Sequence, residues 1–145
     1  MYKTILVPTD GTPLSDKAIA AAIQYAGIHK GCKIIGMTVA EQLPLTYLES
    51  FTQSQASDYS SRELKIAEER VNRIAEQARA AGIPFDTVIL ESSKPHEEIV
   101  RAAVQYHCDC IFMASNGRKG LNKLFIGSET QKVLSTTTIP VLVYR

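Results

Sequence analysis

The sequence lacks an excess of charge of either sign. Sixteen lysines and arginines stand against 15 aspartates and glutamates in 145 residues, so the formal net charge is +1. The pI is about 7.7, whereas nucleic-acid-binding domains are typically strongly basic with clustered lysines and arginines. The charge balance therefore predicts neither nucleic acid nor a membrane surface as a partner.

Cysteine is scarce, and the three cysteines, Cys32, Cys108 and Cys110, are odd in number. Their spacing excludes the disulfide framework of a small secreted domain and indicates a reducing compartment. Because side chains i and i+2 of a strand share a face, we expect Cys108 and Cys110 to be small core residues on one side of a strand. His107 would then point to the opposite face, leaving too few ligands for a metal site.

Long apolar runs are also missing, and none could span a bilayer. The first residues lead directly into an apolar strand, without the charged region, apolar region and cleavage site of a secretory signal. Repeats, low-complexity segments and a domain linker are absent from the sequence. We therefore expect a cytoplasmic protein with one domain over residues 1–145, a length sufficient for its own core.

Short apolar, β-branched runs alternate along the chain with segments of helical periodicity. Capping and proline signals start the predicted helices at Thr12-Pro13, Ser60-x-x-Glu63, Pro95 and Ser128-x-x-Gln131. Strands are predicted over Thr4–Pro8, residues 33–39 and 85–90, Cys110–Ala114, and residues 139–144. This alternation predicts an α/β fold, an open five-stranded parallel sheet doubly wound with helices on both faces. The expected strand order is 3-2-1-4-5, as in Rossmann-like sheets.

A polar stretch over residues 41–57 follows the second predicted strand. Loops of this length without secondary structure are uncommon in compact domains, and they are usually functional or mobile. Because the stretch leaves the carboxyl end of its strand, we expect a loop that flanks a ligand site as a lid.

Two further loops are expected at the point where the strand order reverses, which is where open α/β sheets bind ligands. One is Pro8-Thr9-Asp10-Gly11, and the other is the glycine-rich, basic stretch 115–126, which ends at Gly127-Ser128. A helix that starts at Gly127-Ser128 would offer free N–H groups and a favourable dipole to a phosphate. The alternative, that the glycines form turns and Ser128 is only a cap, stays open. Neither a Walker loop nor a dinucleotide-binding fingerprint follows the first strand.

Four segments of the chain resemble the universal stress protein family. They are Ile5-Leu-Val-Pro-Thr-Asp-Gly11, Ile111-Phe-Met-Ala-Ser-Asn-Gly-Arg118, Gly127-Ser128 and Ile139-Pro-Val-Leu-Val143. The family's nucleotide motif, Gly-x2-Gly-x9-Gly-Ser/Thr, appears as Ala114-x2-Gly117-x9-Gly127-Ser128. Its spacing is intact, and alanine replaces the first glycine.

The resemblance implies a small stress-response or regulatory protein that binds ATP, alone or with Mg²⁺. The phosphates would lie over Gly117, Gly127, Ser128 and Thr130, and the ribose and adenine near Pro8, Thr9, Asp10, Val39 and Met113. Ala114, Arg118 and Glu129 belong to the same implied site. From the residues alone, Asp10 could equally cap the first helix, and Glu129 would bring a negative charge close to the phosphates.

No Ser/His/Asp or Cys/His set is evident, because His29, His96 and His107 lie in or beside predicted helices, away from the expected crevice. We therefore expect no enzyme, although slow ATP hydrolysis near Asp10 stays open. The resemblance also implies a homodimer through strand 139–144, whose exposed apolar edge would invite pairing. The alternative function is a family member that binds no nucleotide and acts as a dimeric protein-interaction module.

Overall fold

A computed structural model describes residues 1–116 and 125–145 of the chain. The described elements are β1 Thr4–Pro8, α1 Pro13–Ile28, β2 Lys33–Glu41, α2 Leu45–Leu48, α3 Gln53–Ala80, β3 Phe85–Ser92, α4 Pro95–Gln105, β4 Cys110–Ala114, α5 Ser128–Thr136 and β5 Val141–Tyr144. None of the helices among these residues has the length and apolar character needed to cross a membrane.

The strands of the described residues form one five-stranded sheet in the order β3-β2-β1-β4-β5. Every neighbouring pair is parallel. Central β1 carries the run Ile5-Leu6-Val7, whose members are all fully buried, as expected where helices cover both faces of a parallel sheet. The predicted fold class and strand order are confirmed.

Alternate residues of each strand face two separate helical layers. Helices α1 and α3 cover one face, and α4 and α5 cover the other. The first layer packs on Ile5, Val7, Ile34, Cys110 and Phe112. The second packs on Leu6, Ile35, Met37, Ile111 and Met113. Because successive side chains of a strand point to opposite faces, the apolar strands form two apolar cores, one on each side of the sheet.

The prediction of a loop over residues 41–57 is wrong for much of its length. Residues Leu45–Leu48 form a short helix, and α3 already begins at Gln53. Its start is a capping box in which Thr52 Oγ1 accepts from Gln55 N at 3.2 Å and Gln55 Oε1 accepts from Thr52 N at 2.9 Å. Because no proline or glycine follows before the helix ends, α3 continues through the predicted start at Ser60-x-x-Glu63.

The cysteines are buried as predicted, but Cys108 and Cys110 lie in different cores. Cys110 packs on the α1 and α3 side, whereas Cys108 packs on the α4 and α5 side. The expectation of a shared face is wrong because β4 begins only at Cys110, after His107 has taken a left-handed φ of 52°. Burial raises the pKa of the Cys108 thiol to about 12, so this thiol stays protonated and unreactive.

Candidate functional site

A crevice is expected where β1 and β4 part at the centre of the sheet. The two strands pair at Ile5–Cys110 and Leu6–Ile111, and no pair further toward their carboxyl ends is found among the described residues. Beyond these pairs the two strands lead to opposite faces of the sheet, because β1 is followed by α1 on one face and β4 by α5 on the other. This is the topological switch point at which open α/β sheets bind ligands.

The first loop of the crevice is held against β2 by buried hydrogen bonds. Thr9 N donates to Met37 O at 2.9 Å, and Thr9 O accepts from Thr38 Oγ1 at 2.7 Å. Thr9 Oγ1 in turn accepts from Gly11 N at 3.1 Å. Both polar groups of the Thr9 backbone are therefore used within the protein, and this loop is rigidly placed at the crevice.

Asp10 supports the cap of α1 by bonding to the N-cap residue, which is close to the turn-and-cap role that the sequence left open for it. Its Oδ1 accepts from Thr12 N at 3.0 Å, from Thr12 Oγ1 at 2.6 Å and from Ser15 Oγ at 2.6 Å. Thr12 is the N-cap of the helix and its side chain accepts from Ser15 N. Since these bonds all use Oδ1, a ligand hydroxyl would have to be met by the second carboxylate oxygen, Oδ2.

Three of the predicted contacts lie on one face of the sheet. Each predicted contact comes two residues after a strand residue that packs on the α4 and α5 side, and therefore points to that same side. The pairs are Leu6 and Pro8, Met37 and Val39, and Ile111 and Met113. Pro8 and Met113 are buried, and Val39 is half-buried. Together they form an apolar floor at the carboxyl ends of β1, β2 and β4, which suits a planar aromatic base.

Leu90 belongs to the same apolar floor and was missed by the sequence reasoning. It pairs with Val39 across β2 and β3 and packs against the core on the α4 and α5 side. The signal that could have found it is the strand alternation from Val88 to Leu90, combined with the predicted neighbouring position of β2 and β3.

The amino end of α5 carries no side-chain cap within the described part of the chain. Gly127 is its N-cap, so the predicted capping box is wrong: Ser128 is the first helical residue. Gln131 Nε2 instead donates to Ile126 O at 2.6 Å. The first N–H groups of a helix have no partner inside the helix. Those of Ser128, Glu129 and Thr130 thus lie where an anion is favoured.

Gly127 is favoured by close packing rather than by its backbone angles, since its φ of −61° is open to any residue. Its N–H donates to Ser115 O at 2.7 Å. A Cβ at this position would lie 3.2 Å from Asn116 Cα and 3.3 Å from Ser115 O. Any side chain would therefore push the segment after β4 away from the start of α5.

Thr130 ties the first turn of α5 to the end of β4. Its Oγ1 donates to Ala114 O at 3.0 Å, and both residues are buried. A hydroxyl has a single proton, so Thr130 can offer a phosphate its backbone N–H but not its hydroxyl proton. Ala114 lies within β4 opposite Tyr144, and this extended backbone accepts the methyl group that replaces the motif's glycine.

The Glu129 side chain reaches from the first turn of α5 to the first turn of α4. Its Oε2 accepts from His96 N at 3.0 Å and is paired with His96 Nδ1 at 2.9 Å. Its Oε1 accepts from Lys132 Nζ at 3.2 Å. Burial opposes ionisation of this carboxyl, but the hydrogen bonds from His96 and Lys132 outweigh it and lower its pKa. The expectation that His96 lies away from the crevice is wrong, because α4 and α5 pack side by side.

Two predicted contacts, Gly117 and Arg118, lie outside the described residues. Within the described ranges, no group of three or more His, Cys, Asp and Glu side chains could hold a metal ion. A cavity of about 730 Å³ lies on the other side of Asp10, between the start of α1 and α3. Its lining combines charged side chains with the apolar Pro13 and Ile66, and it lies between helices on the face of the sheet opposite the apolar floor.

Comparisons with known proteins place the chain in a family. The family model for the universal stress protein family matches residues 1–145. A universal stress protein of Thermus aquaticus is 32% identical over 146 residues, covering 100% of both chains. Among solved structures, MJ0577 of Methanocaldococcus jannaschii superposes with a TM-score of 0.87 at 26% identity, covering 99% of this chain and 96% of that one.

A more distant structure of the same fold carries a ligand. The universal stress protein of Archaeoglobus fulgidus in complex with dAMP has a TM-score of 0.68 at 19% identity, covering 99% of this chain and 98% of that one. Other solved structures with this fold are in complex with cAMP or AMP. The fold, the site geometry and the whole-chain match lead to one conclusion: the chain belongs to the universal stress protein family.

Proposed function

We propose that this protein binds an adenine nucleotide, ATP in particular, in the crevice between β1 and β4. The observation that carries the proposal is the amino end of α5, which has no side-chain cap from residues 1–116 or 125–145 and starts beside an apolar floor at the switch point. Structures of the same fold in complex with dAMP, cAMP or AMP support it. The family motif from Ala114 to Ser128 supports it as well.

The phosphates would be held by the first turn of α5. The backbone N–H groups of Ser128, Glu129 and Thr130 would donate to phosphate oxygens, assisted by the positive end of the helix dipole. Gly127 lets the chain enter the helix close to Ser115 and Asn116, which brings these donors to the crevice. Gly117, outside the described residues, supplies the second position of the family's nucleotide motif, and Arg118 follows it as a positive charge that would lie beside the phosphates.

The adenine and ribose would occupy the other half of the crevice. The base would lie on the floor formed by Pro8, Val39, Met113 and Leu90, and the rigid Thr9 loop would bound it on the β2 side. Asp10 would accept from ribose hydroxyls through Oδ2, since Oδ1 is committed to the cap of α1. A nucleotide fits this arrangement because an apolar surface and an anion-binding helix end lie side by side.

A magnesium ion, if it accompanies ATP, would be carried mainly by the phosphates. Mg²⁺ commonly binds through substrate phosphates and water with one or two carboxylates, and the described residues offer no cluster of three candidate ligands. The proposed role is binding and not catalysis: a nucleotide-dependent regulatory module in a stress response.

The module would act as a homodimer paired through β5. This strand is at an edge of the sheet, and its Leu142 is 40% exposed. An exposed apolar edge is a ready template for another strand. Two copies related by a two-fold axis would pair β5 with β5 in antiparallel fashion, which closes the assembly at a dimer.

Thermal unfolding with nucleotides tests the proposed binding. A ligand present at about 100 times its Kd stabilises the folded chain by about 2.7 kcal/mol, which raises Tm by roughly 5–10 °C for a chain of this size. ATP should give this shift, and nucleotide should be released when the purified protein is heat-denatured. Inorganic triphosphate serves as the control for the apolar floor and should give a smaller shift, because it lacks the base and ribose. No shift at millimolar ATP with Mg²⁺ contradicts nucleotide binding and favours the interaction module.

A further inference from the structure

The carboxylate of Glu129 serves a helix other than its own. An acidic residue in the first turn of a helix ordinarily stabilises the amino end of that helix. Here Glu129 Oε2 accepts from His96 N, in the first turn of α4, at 3.0 Å. The N-cap residue of α4, Lys94, provides no side-chain cap. Glu129 therefore supplies the cap that the N-cap residue of α4 does not, whereas α5 receives no side-chain cap from the part of the chain that the structure describes.

The imidazole of His96 holds this arrangement in place. Its Nδ1 is 2.9 Å from Glu129 Oε2, and its side chain is only 16% exposed. An ionised carboxylate can only accept, so the proton of this bond must be on Nδ1. With His96 N and Nδ1 both donating to Oε2, the carboxylate is held at α4, and within the described residues it makes no hydrogen bond to the N–H groups that begin α5. Lys132 Nζ adds a more exposed contact at 3.2 Å on the other oxygen.

We propose that His96 is a positioning residue for phosphate binding: by holding Glu129 at α4, it keeps the amino end of α5 open to an anion. The inference rests on the proposed nucleotide function. His96 need not touch the ligand. Released from the imidazole, the Glu129 carboxylate would be free to turn toward the N–H groups of its own first turn, where it would compete with phosphate oxygens and repel them.

The effect should depend on phosphate. Adenosine shares the base and ribose of ATP but has no charge to meet Glu129, so loss of the imidazole should leave its affinity unchanged. A general loosening of α4 or α5 would instead weaken both ligands. The ratio of the two dissociation constants therefore separates positioning from a merely structural role.

Three variants measured by calorimetry with ATP and adenosine test the inference. His96→Leu removes the Nδ1 donor, and because the backbone N–H remains, ATP affinity should fall by roughly twofold to fivefold, the range of a charge's interaction with a helix end. His96→Asn retains a side-chain donor near the position of Nδ1 and should bind ATP like the wild type. Adding Glu129→Gln to His96→Leu removes the charge and should restore ATP affinity.

Circular dichroism and Tm are measured for each variant, and His96→Ala replaces His96→Leu if the latter does not fold. If the wild type binds ATP and His96→Leu binds it equally well, the positioning role of His96 is wrong, whereas the proposed function stands. The positioning role is also wrong if His96→Leu loses affinity equally for ATP and adenosine, or if adding Glu129→Gln does not restore its ATP affinity. A wild-type chain that binds no ATP overturns the proposed function, and this inference with it.

Discussion

The hydrogen bond from Thr130 Oγ1 to Ala114 O is the contact by which β4 fixes the start of α5. Its length is 3.0 Å, and Thr130 is 3% exposed and Ala114 7% exposed. Thr130→Val keeps the shape of the side chain and removes the donor, leaving a buried carbonyl without this partner. Such a loss costs about 1–3 kcal/mol, and for a chain of this length we expect Tm to fall by roughly 2–10 °C.

Thr130→Ser is the matched control, because it keeps the hydroxyl and loses only a methyl group, worth about 0.8 kcal/mol when buried. Both variants are compared with the wild type by urea unfolding at pH 7 and by calorimetry with ATP. We expect Thr130→Val to weaken ATP binding as well as stability, since the first turn of α5 is no longer tied to β4. Thr130→Ser should retain ATP affinity.

The reasoning is refuted if Thr130→Val is as stable as the wild type, or if Thr130→Ser loses more stability than Thr130→Val. In either case the bond to Ala114 O does not hold α5. If Thr130→Val loses stability as expected but both variants bind ATP equally well, the bond stabilises the fold without contributing to the proposed nucleotide site.

Three further predictions follow from other parts of the structure. Gly36→Ala should cost about 1–3 kcal/mol by overpacking, because its Cβ would lie 2.9 Å from Ile74 Cγ2; a urea midpoint unchanged from the wild type would contradict this close packing of α3 on β2. Leu142→Lys should convert the proposed dimer to monomer in sedimentation at micromolar concentration, and wild type that already sediments as a monomer would refute the β5 interface. Glu129→Gln should lower Tm at pH 7, because a carboxyl whose folded-state pKa is lowered contributes stability above its unfolded pKa, about 4.3, and loses it as pH falls through the folded value. The two proteins should converge once the pH falls below the lowered folded-state pKa of Glu129, and a Tm difference that persists at the acid end of the titration would show that the charge is not the cause.

Much of the fold was determined by local patterns in the sequence. The run Ile5-Leu6-Val7 and the prolines at Pro13 and Pro95 predict a buried strand and two helix starts, and the structure has them at those places. Alternation of strands and helices was enough for a parallel sheet, since parallel neighbours need a crossover. The start of α3 at Gln53 was not predicted, because the capping motif at Ser60 lies inside the helix and the polar residues before it carry no apolar periodicity.

Some features of the candidate site were likewise predictable from the sequence, and others were decided only by the tertiary structure. The sequence by itself determined which loops carry the glycines, the carboxylate Asp10 and the start of α5, because turn and capping chemistry acts between near neighbours. Only the tertiary structure decided that Glu129 caps α4 through His96 and that the Thr130 hydroxyl is spent on Ala114. These contacts join residues on different elements, and their partners depend on how α4 and α5 pack on the sheet, which no local pattern encodes.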